Sequence, residues 1–225
     1  MASTPIRELL NETVNPPIRG FLHAPATPSG NGLVLTHGAG GNAQAPLLRA
    51  LAETFANAGY TVLRCNLPYR QVRAFGPPGP GDAARDRAGL KNAVEEMRKQ
   101  VSGRLFLAGH SYGGRQSSML CAEEPELVPG LLLLSYPLHP PRRPEQQRTQ
   151  HLPDLNTPTL FVHGTRDPFG SIEELQRALK MIPANTKLLP IEGAGHDLGF
   201  KGKARREDLP ATIFSEFSKF MNLSS

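Results

Sequence analysis

Short apolar runs alternate along the chain with longer stretches in which apolar residues recur every three or four positions. The runs are nearly continuous, as in Leu131–Leu134, which is typical of strands buried on both faces of a parallel sheet. The pattern predicts about seven strands, at 18–23, 33–36, 61–65, 104–108, 131–135, 159–162 and 187–190.

The periodic stretches predict helices with one apolar face. One such stretch ends at Gly59 and another before Gly103, and glycine commonly follows a helix. Ser171 and Glu174 have the spacing of a capping box, which opens a third helix, and the last helix tolerates Pro210 in its first turn. Strands that alternate with helices in this way predict an α/β fold, a mostly parallel sheet flanked by helices on both faces.

Two segments carry too much proline and glycine for regular structure and are predicted to be loops. The segment 68–82 contains Gly-Pro-Pro-Gly-Pro-Gly at 76–81, and the segment 138–154 contains four prolines. Both follow strands, so both should reach the carboxyl edge of the sheet, where α/β folds bind ligands. The two loops also carry five arginines, Arg70, Arg73, Arg142, Arg143 and Arg148. These arginines either bind an anionic substrate group such as a carboxylate or form a solvated basic rim.

Composition and charge narrow the possible functions. The 225 residues fit a single domain, 1–225, with a net charge of +5 whose basic residues are scattered, so no nucleic-acid partner is predicted. No apolar run approaches the roughly 18 residues of a membrane span, so no membrane partner is predicted. The N-terminus lacks the apolar segment of a secretory signal, which favours a cytoplasmic protein. Cys65 and Cys121 lack metal-ligand spacing and are expected to be buried.

The most informative motif is Gly109-His110-Ser111-Tyr112-Gly113, which stands between a predicted strand and a helix predicted from 112 to about 123. A Gly-x-Ser-x-Gly turn in this setting is a nucleophile elbow, which exposes the serine hydroxyl above the sheet. The glycines are needed because a Cβ at these positions would clash. Ser111 is therefore the predicted nucleophile, and the alternative is that it only caps the helix.

A serine nucleophile needs a base to take its proton and a third group to orient that base. Among seven histidines, His196 is the predicted base, because it follows the last strand on a glycine-rich loop at the carboxyl edge. Asp167 is the predicted acid, since it follows the strand at 159–162 and can accept the second imidazole N–H. Asp197 competes for this role, but its place beside His196 makes the hydrogen bond awkward.

The positions of four other histidines predict that they pack, are buried or lie at the surface rather than react. His110 should pack with its ring turned away from the nucleophile, and His163 should be buried near the loop of the predicted acid. His23 and His151 have no recognisable setting and are predicted to be surface or loop residues.

The chain order Ser111, Asp167, His196 is that of the α/β-hydrolases, and the chain resembles this superfamily from about residue 19 to 223. It is similar to small, lidless, dienelactone-hydrolase-like proteins and to the testis-expressed hydrolase-like group, with serine where dienelactone hydrolases have cysteine. Four motifs in the correct order carry the resemblance, at 37–41, 109–113, 163–167 and 193–196.

The resemblance implies an α/β-hydrolase fold and an oxyanion hole built from the backbone N–H groups of Tyr112 and Ala39. It implies that His37 braces its loop rather than reacting. Neither a metal nor an organic cofactor is expected, because a Ser-His-Asp site needs neither.

Larger relatives insert a helical cap after the strand that here ends near 135. Residues 136–154 are too few and too rich in proline for a cap with its own core. The resemblance therefore implies an open, shallow cleft walled by Tyr69, Tyr112 and Leu138. Such a cleft should hydrolyse short acyl esters at least as well as long ones.

These residues predict a serine hydrolase that cleaves a small carboxylic ester or related acyl bond through an acyl-enzyme. The expected partner is a small-molecule acyl substrate. The same triad would also serve an acyltransferase or a peptidase. A non-catalytic interaction protein with a hydrolase-like fold is the alternative from a different class.

Overall fold

A sheet of eight strands forms the centre of the computed structural model, which describes residues 5–200 and 206–223. The strand order is β1-β2-β4-β3-β5-β6-β7-β8. The pairs β1–β2 and β2–β4 are antiparallel and the other five pairs are parallel. The strands are β1(Ile6–Asn11), β2(Ile18–His23), β3(Gly32–Thr36), β4(Thr61–Cys65), β5(Leu105–His110), β6(Leu131–Leu134), β7(Thr159–Gly164) and β8(Thr186–Ile191). Residues 1–4, which belong to the N-terminus where no secretory signal is predicted, lie outside the described residues.

Six helices lie among the described residues and cover both faces of the sheet, as predicted. They are α1(Pro46–Asn57), α2(Pro68–Val72), α3(Asp82–Arg98), α4(Tyr112–Glu123), α5(Ile172–Leu179) and α6(Leu209–Phe220). Helices α1 and α6 contribute to the core on one face, and α3, α4 and α5 contribute to the core on the other. The predicted capping box opens α5, since Ser171 Oγ accepts from the Glu174 N–H and the Glu174 carboxylate accepts from the Ser171 N–H.

The sequence of strand β6 is continuously apolar because both faces of the strand are buried. Leu131 and Leu133 belong to the core beneath α3, α4 and α5, whereas Leu132 and Leu134 belong to the core beneath α1 and α6. All four side chains are fully buried, because neighbouring residues of a strand point to opposite faces. The prediction of a parallel sheet covered on both faces is confirmed.

Strand β1 was not predicted, and its exposure explains why. Leu9 is its one buried residue, and Leu10 is 61% exposed, so the strand lacks the apolar alternation of a half-buried strand. Backbone pairing with β2 at the edge of the sheet defines it instead. The sheet therefore has eight strands rather than about seven.

The segment predicted as a loop at 68–82 begins with the short helix α2. Pro68 occupies the first turn of that helix, where its missing N–H has no intrahelical role. The proline-glycine run at 76–81 is irregular, as predicted, and α3 starts at Asp82.

Two histidines that were predicted to be surface or loop residues have side-chain hydrogen-bond partners within the fold. His23 is fully buried on β2 and its Nε2 lies 2.8 Å from Arg64 Nε. Burial and the nearby arginine lower the pKa of His23 to about 4, so its ring accepts the arginine N–H in the neutral form. His151 lies in a turn, but its Nε2 is 2.8 Å from Ser118 Oγ.

Cys65 and Cys121 are buried free thiols, as predicted.

The described segment between β6 and β7 contains no helical cap. That part of the chain, described throughout, contains only a single 3-10 turn at Leu152–Asp154. Within the described ranges, no helix has the length and apolar character needed to cross a membrane.

Candidate active site

Ser111 stands at the sharp turn between β5 and α4. Its φ is 52°, a left-handed conformation that is rare for a residue with a side chain. The flanking glycines allow the turn to close, because a Cβ on Gly109 would lie 2.5 Å from the Gly114 nitrogen. A Cβ on Gly113 would lie 2.4 Å from the carbonyl oxygen of His37. The strained serine and the two steric limits are those of a nucleophile elbow.

The fold brings Ser111, His196 and Asp167 together from three separate segments. Ser111 Oγ lies 2.8 Å from His196 Nε2. His196 Nδ1 lies 2.8 Å from Asp167 Oδ2 and 3.0 Å from Oδ1. The Asp167 side chain is fully buried and the His196 side chain is 24% exposed. A carboxylate buried behind a partly open imidazole accepts its Nδ1–H and orients the ring toward Ser111.

Neighbouring rings hold His196 in place. The ring of Phe169 lies 4.2 Å from that of His196, centroid to centroid. His110 Nε2 lies 2.9 Å from the His196 carbonyl oxygen, and burial lowers the pKa of His110 to about 4. The neutral His110 therefore donates an N–H to the backbone of the predicted base and packs rather than reacts. His163 is fully buried with Nε2 3.8 Å from Asp167 Oδ2, near the acid loop as predicted.

The loop at 37–41 is fixed by side chains below it. His37 Nδ1 lies 2.9 Å from the Gly38 carbonyl oxygen, and His37 Nε2 accepts the N–H of Leu67 at 3.1 Å. Burial lowers the pKa of His37 to about 4, so the ring is neutral at physiological pH and has both nitrogens occupied. Tyr69 donates its hydroxyl to the Ala39 carbonyl oxygen at 2.8 Å. These bonds make His37 a brace.

A cavity of about 580 Å³ opens beside Ser111 and is called here the Ser111 cavity. His196, Tyr112 and Ala39 contribute to its wall. Much of the wall is apolar, formed by Ala45, Pro46, Leu47, Leu48, Pro77, Pro78, Pro137, Phe169 and Phe200. A cavity of this size and character accepts a small organic ligand, and it is roomier than a shallow cleft.

Two of the three predicted wall residues do not line this cavity. Leu138 is fully buried, against Gly170, and faces the core. Tyr69 is 2% exposed because its ring lies beneath the 37–41 loop, where its hydroxyl is bound to backbone oxygens. Pro137 and Phe169 take their places in the wall.

Residues 29–222 match a family model described as an alpha/beta hydrolase domain. The chain belongs to the α/β-hydrolase family. Its fold agrees with solved structures of low sequence identity, and the three that follow are each covered over 91% or more of their length.

A dienelactone hydrolase from Anabaena variabilis is 22% identical, with a TM-score of 0.74 over 97% of this chain and 98% of that one. A Xanthomonas campestris protein described as an α/β serine hydrolase without lid is 16% identical, with a TM-score of 0.72 over 100% and 98%. An esterase of Pyrococcus furiosus is 16% identical, with a TM-score of 0.74 over 98% and 91%. At these identities the likeness concerns the fold.

A buried carboxylate in this α/β-hydrolase was missed by the sequence analysis. Asp86 on α3 is fully buried and accepts the Tyr69 N–H at 3.0 Å and the Tyr112 hydroxyl at 2.8 Å. Burial raises the pKa of Asp86, while the two hydrogen bonds oppose that rise. Asp86 thus links the residue after Ser111 to the residue that supports Ala39. The sequence does carry a signal for Asp86, because it is a charged residue on the apolar face of α3, one helical turn before Leu90.

The five arginines of the two loops lie in different environments in this α/β-hydrolase. Only Arg148 lines the Ser111 cavity. Arg70 is buried and donates to backbone carbonyl oxygens, including those of Gly41 and Ala39, and Arg73 pairs with Asp82. The remaining two, Arg142 and Arg143, are exposed. A sixth arginine, Arg115 on α4, also lines the cavity and was not predicted.

In the part of the chain that the structure describes, no group of three or more His, Cys, Asp or Glu side chains is arranged to hold a metal ion.

Proposed function

We propose that this α/β-hydrolase is a serine hydrolase that cleaves a small carboxylic ester or related acyl bond through a Ser111-His196-Asp167 triad. The observation that carries the proposal is the continuous hydrogen-bonded chain from Ser111 Oγ through His196 to Asp167, with contacts of 2.8 Å at each end. This chain ends at the wall of a largely apolar cavity, where an acyl group can reach the hydroxyl.

The reaction proceeds in two halves. Ser111 Oγ attacks the carbonyl carbon while His196 Nε2 takes the hydroxyl proton, and Asp167 stabilises the imidazolium through Nδ1. The tetrahedral intermediate collapses when His196 returns the proton to the leaving alcohol, which leaves an acyl-enzyme. Water then attacks the acyl-enzyme with His196 as base, and Ser111 regains its proton.

The backbone N–H groups of Tyr112 and Ala39 stabilise the oxyanion in this proposal. Tyr112 is the first residue of α4, where N–H groups lack intrahelical partners and the helix dipole favours negative charge. Ala39 lies on the cavity wall, and its peptide is trans. The Gly38 carbonyl oxygen of that peptide accepts from Gly41 N at 3.0 Å and lies 2.9 Å from His37 Nδ1. The N–H of Ala39 points opposite to that oxygen, which supports its direction toward the cavity.

A fluorophosphonate probe tests the proposal. The probe should label the wild-type protein at Ser111, and Ser111→Ala should abolish labelling and lower ester hydrolysis by ~10³-fold or more. Ser118→Ala is the matched control, since Ser118 also has a histidine nitrogen 2.8 Å from its hydroxyl but is not part of the cavity wall. Folded wild-type protein that resists labelling would favour an interaction protein over an enzyme.

A further inference from the structure

Two arginines share the wall of the Ser111 cavity. Arg115 lies one helical turn after Ser111 on α4, and its backbone N–H donates to the Ser111 carbonyl oxygen at 2.9 Å. One turn corresponds to about 5.4 Å along the helix axis, and helical side chains lean toward the N-terminus of their helix. Arg148 comes from the proline-rich loop after β6, and its Nη1 donates to the Pro137 carbonyl oxygen at 3.2 Å.

Neither guanidinium has a carboxylate partner among the residues that the structure describes. Within residues 5–200 and 206–223, the ion pairs involve other side chains, and Nε of Arg115 is buried without a hydrogen-bond partner. Burial, followed by repulsion from Arg115, lowers the pKa of Arg148. His151 adds no charge nearby, because burial and the arginines around it lower its pKa to about 4. The two like charges therefore destabilise each other in a partly dehydrated wall.

We propose that Arg115 and Arg148 form an anion subsite that binds a carboxylate of the substrate. This inference rests on the proposed function and narrows its substrate class to esters that carry a carboxylate a few bonds from the scissile carbonyl.

The chemistry of the wall favours this ligand. A guanidinium presents parallel N–H donors that match the two oxygens of a carboxylate, and a bound anion relieves the repulsion between the two arginines. The rest of the wall is largely apolar, so a charged ligand gives up hydration when it enters the cavity. A carboxylate with one negative charge loses less hydration on entry than a phosphate with two. Because Arg115 follows Ser111 by one helical turn, an anion bound by Arg115 lies on the same face of α4 as the reacting carbonyl.

The kinetic test compares monomethyl glutarate with its monoamide, methyl 4-carbamoylbutanoate, a neutral ester of the same size. In the wild-type enzyme, kcat/KM for the anionic ester should exceed that for the amide by about tenfold or more. Arg115→Gln and Arg148→Gln should each remove most of that ratio. The matched control is Arg143→Gln, which deletes the same charge from an exposed position of the same loop and should keep the wild-type ratio. A ratio near one in the wild type, or an equal loss in the Arg143 variant, would overturn the subsite.

A binding measurement separates this proposal from the catalytic one. Monomethyl glutarate titrated calorimetrically into Ser111→Ala protein should bind about tenfold more tightly than the amide, and adding Arg148→Gln should remove the difference. Arg148→Lys keeps the charge without the planar fork and should recover part of the preference, which excludes loss of folding as the cause. Equal affinities for the two ligands would refute the subsite even if the fluorophosphonate probe labels Ser111. Preferential binding in protein that the probe does not label would refute the hydrolase and keep the subsite.

Discussion

At the scale of single residues, Asp86 connects two parts of the candidate site. It is a carboxylate without solvent contact that accepts from the backbone of Tyr69 and from the hydroxyl of Tyr112. Tyr69 in turn donates to the carbonyl oxygens of Gly38 and Ala39. One side chain of α3 therefore ties the start of α4 to the loop that contains the proposed second oxyanion donor.

Removing either end of this link should lower stability by different amounts. Tyr112→Phe deletes one donor to Asp86 and should lower the free energy of unfolding by about 1–2 kcal/mol. Asp86→Ala leaves the buried Tyr69 N–H and the part-buried Tyr112 hydroxyl without their acceptor and should lower the free energy of unfolding by about 2–5 kcal/mol. Urea unfolding at neutral pH measures both changes. An Asp86→Ala protein as stable as the wild type would contradict the assigned hydrogen bonds.

At the scale of elements, the turn from β5 into α4 depends on close backbone contact with the end of β3. A Cβ added to Gly113 would lie 2.4 Å from the His37 carbonyl oxygen, a contact that only a backbone shift relieves. That shift would move both Ser111 and the 37–41 loop. Gly40, in contrast, has no atom within 4 Å of an added Cβ.

Gly113→Ala should therefore lower the free energy of unfolding by about 2 kcal/mol or more and reduce fluorophosphonate labelling, through overpacking against a rigid backbone. Gly40→Ala is the matched control and should change the unfolding free energy by less than about 0.5 kcal/mol. Thermal or urea unfolding compares the two variants. Equal stability of the two proteins would show that the elbow tolerates a methyl group.

At the scale of the whole molecule, several histidines are kept neutral by burial. The pKa values of His23, His37, His110 and His151 are all lowered to about 4 from an ordinary value of 6.5. Between these two pH values the unfolded chain binds protons that the folded chain does not. Stability should therefore fall as the pH is lowered from 6.5 to about 4, and these groups contribute no further change above 6.5.

The size of this effect can be checked at one position. A buried neutral histidine adds a slope of up to about 1.4 kcal/mol per pH unit to the unfolding free energy in that window. His37→Gln should reduce the measured slope by up to that amount, whatever its effect on stability at pH 7.5. Urea titrations at several pH values between 4 and 7.5 give the slope. If the variant keeps the wild-type slope, the ring is not held neutral.

The absence of a cap limits the acyl chains that the molecule can cover. Each buried methylene adds about 0.8 kcal/mol of binding, but only while it lies inside the cavity of about 580 Å³. In a series of p-nitrophenyl esters, kcat/KM should stop rising by the hexanoate, and the decanoate should gain nothing at a lipid interface. A steep rise that continues to the decanoate would reveal a longer acyl channel than the Ser111 cavity.

Much of this fold and the candidate triad could be predicted from local patterns. The continuous leucines of β6 indicated burial on both faces, and the capping box at Ser171 marked the start of α5. Strand β1 was not predicted, because an exposed edge strand needs no apolar alternation. Its backbone pairing with β2 also has no signature in the sequence. The prediction for His23 was wrong because its hydrogen-bond partner, Arg64, lies on another strand 41 positions away.

The sequence by itself predicted seven of the eight strands, the elbow and the candidate triad of Ser111, Asp167 and His196, because strand periodicity, glycine sterics and chain order can be read along the chain. Tertiary structure decided which arginines face the cavity, which aromatic residues form its wall, and that Asp86 links Tyr69 to Tyr112. These outcomes depend on how side chains from distant segments pack at the carboxyl edge of the sheet. Arg148 and Arg143 belong to the same loop, yet of these two only Arg148 lines the Ser111 cavity, whereas Arg143 is exposed.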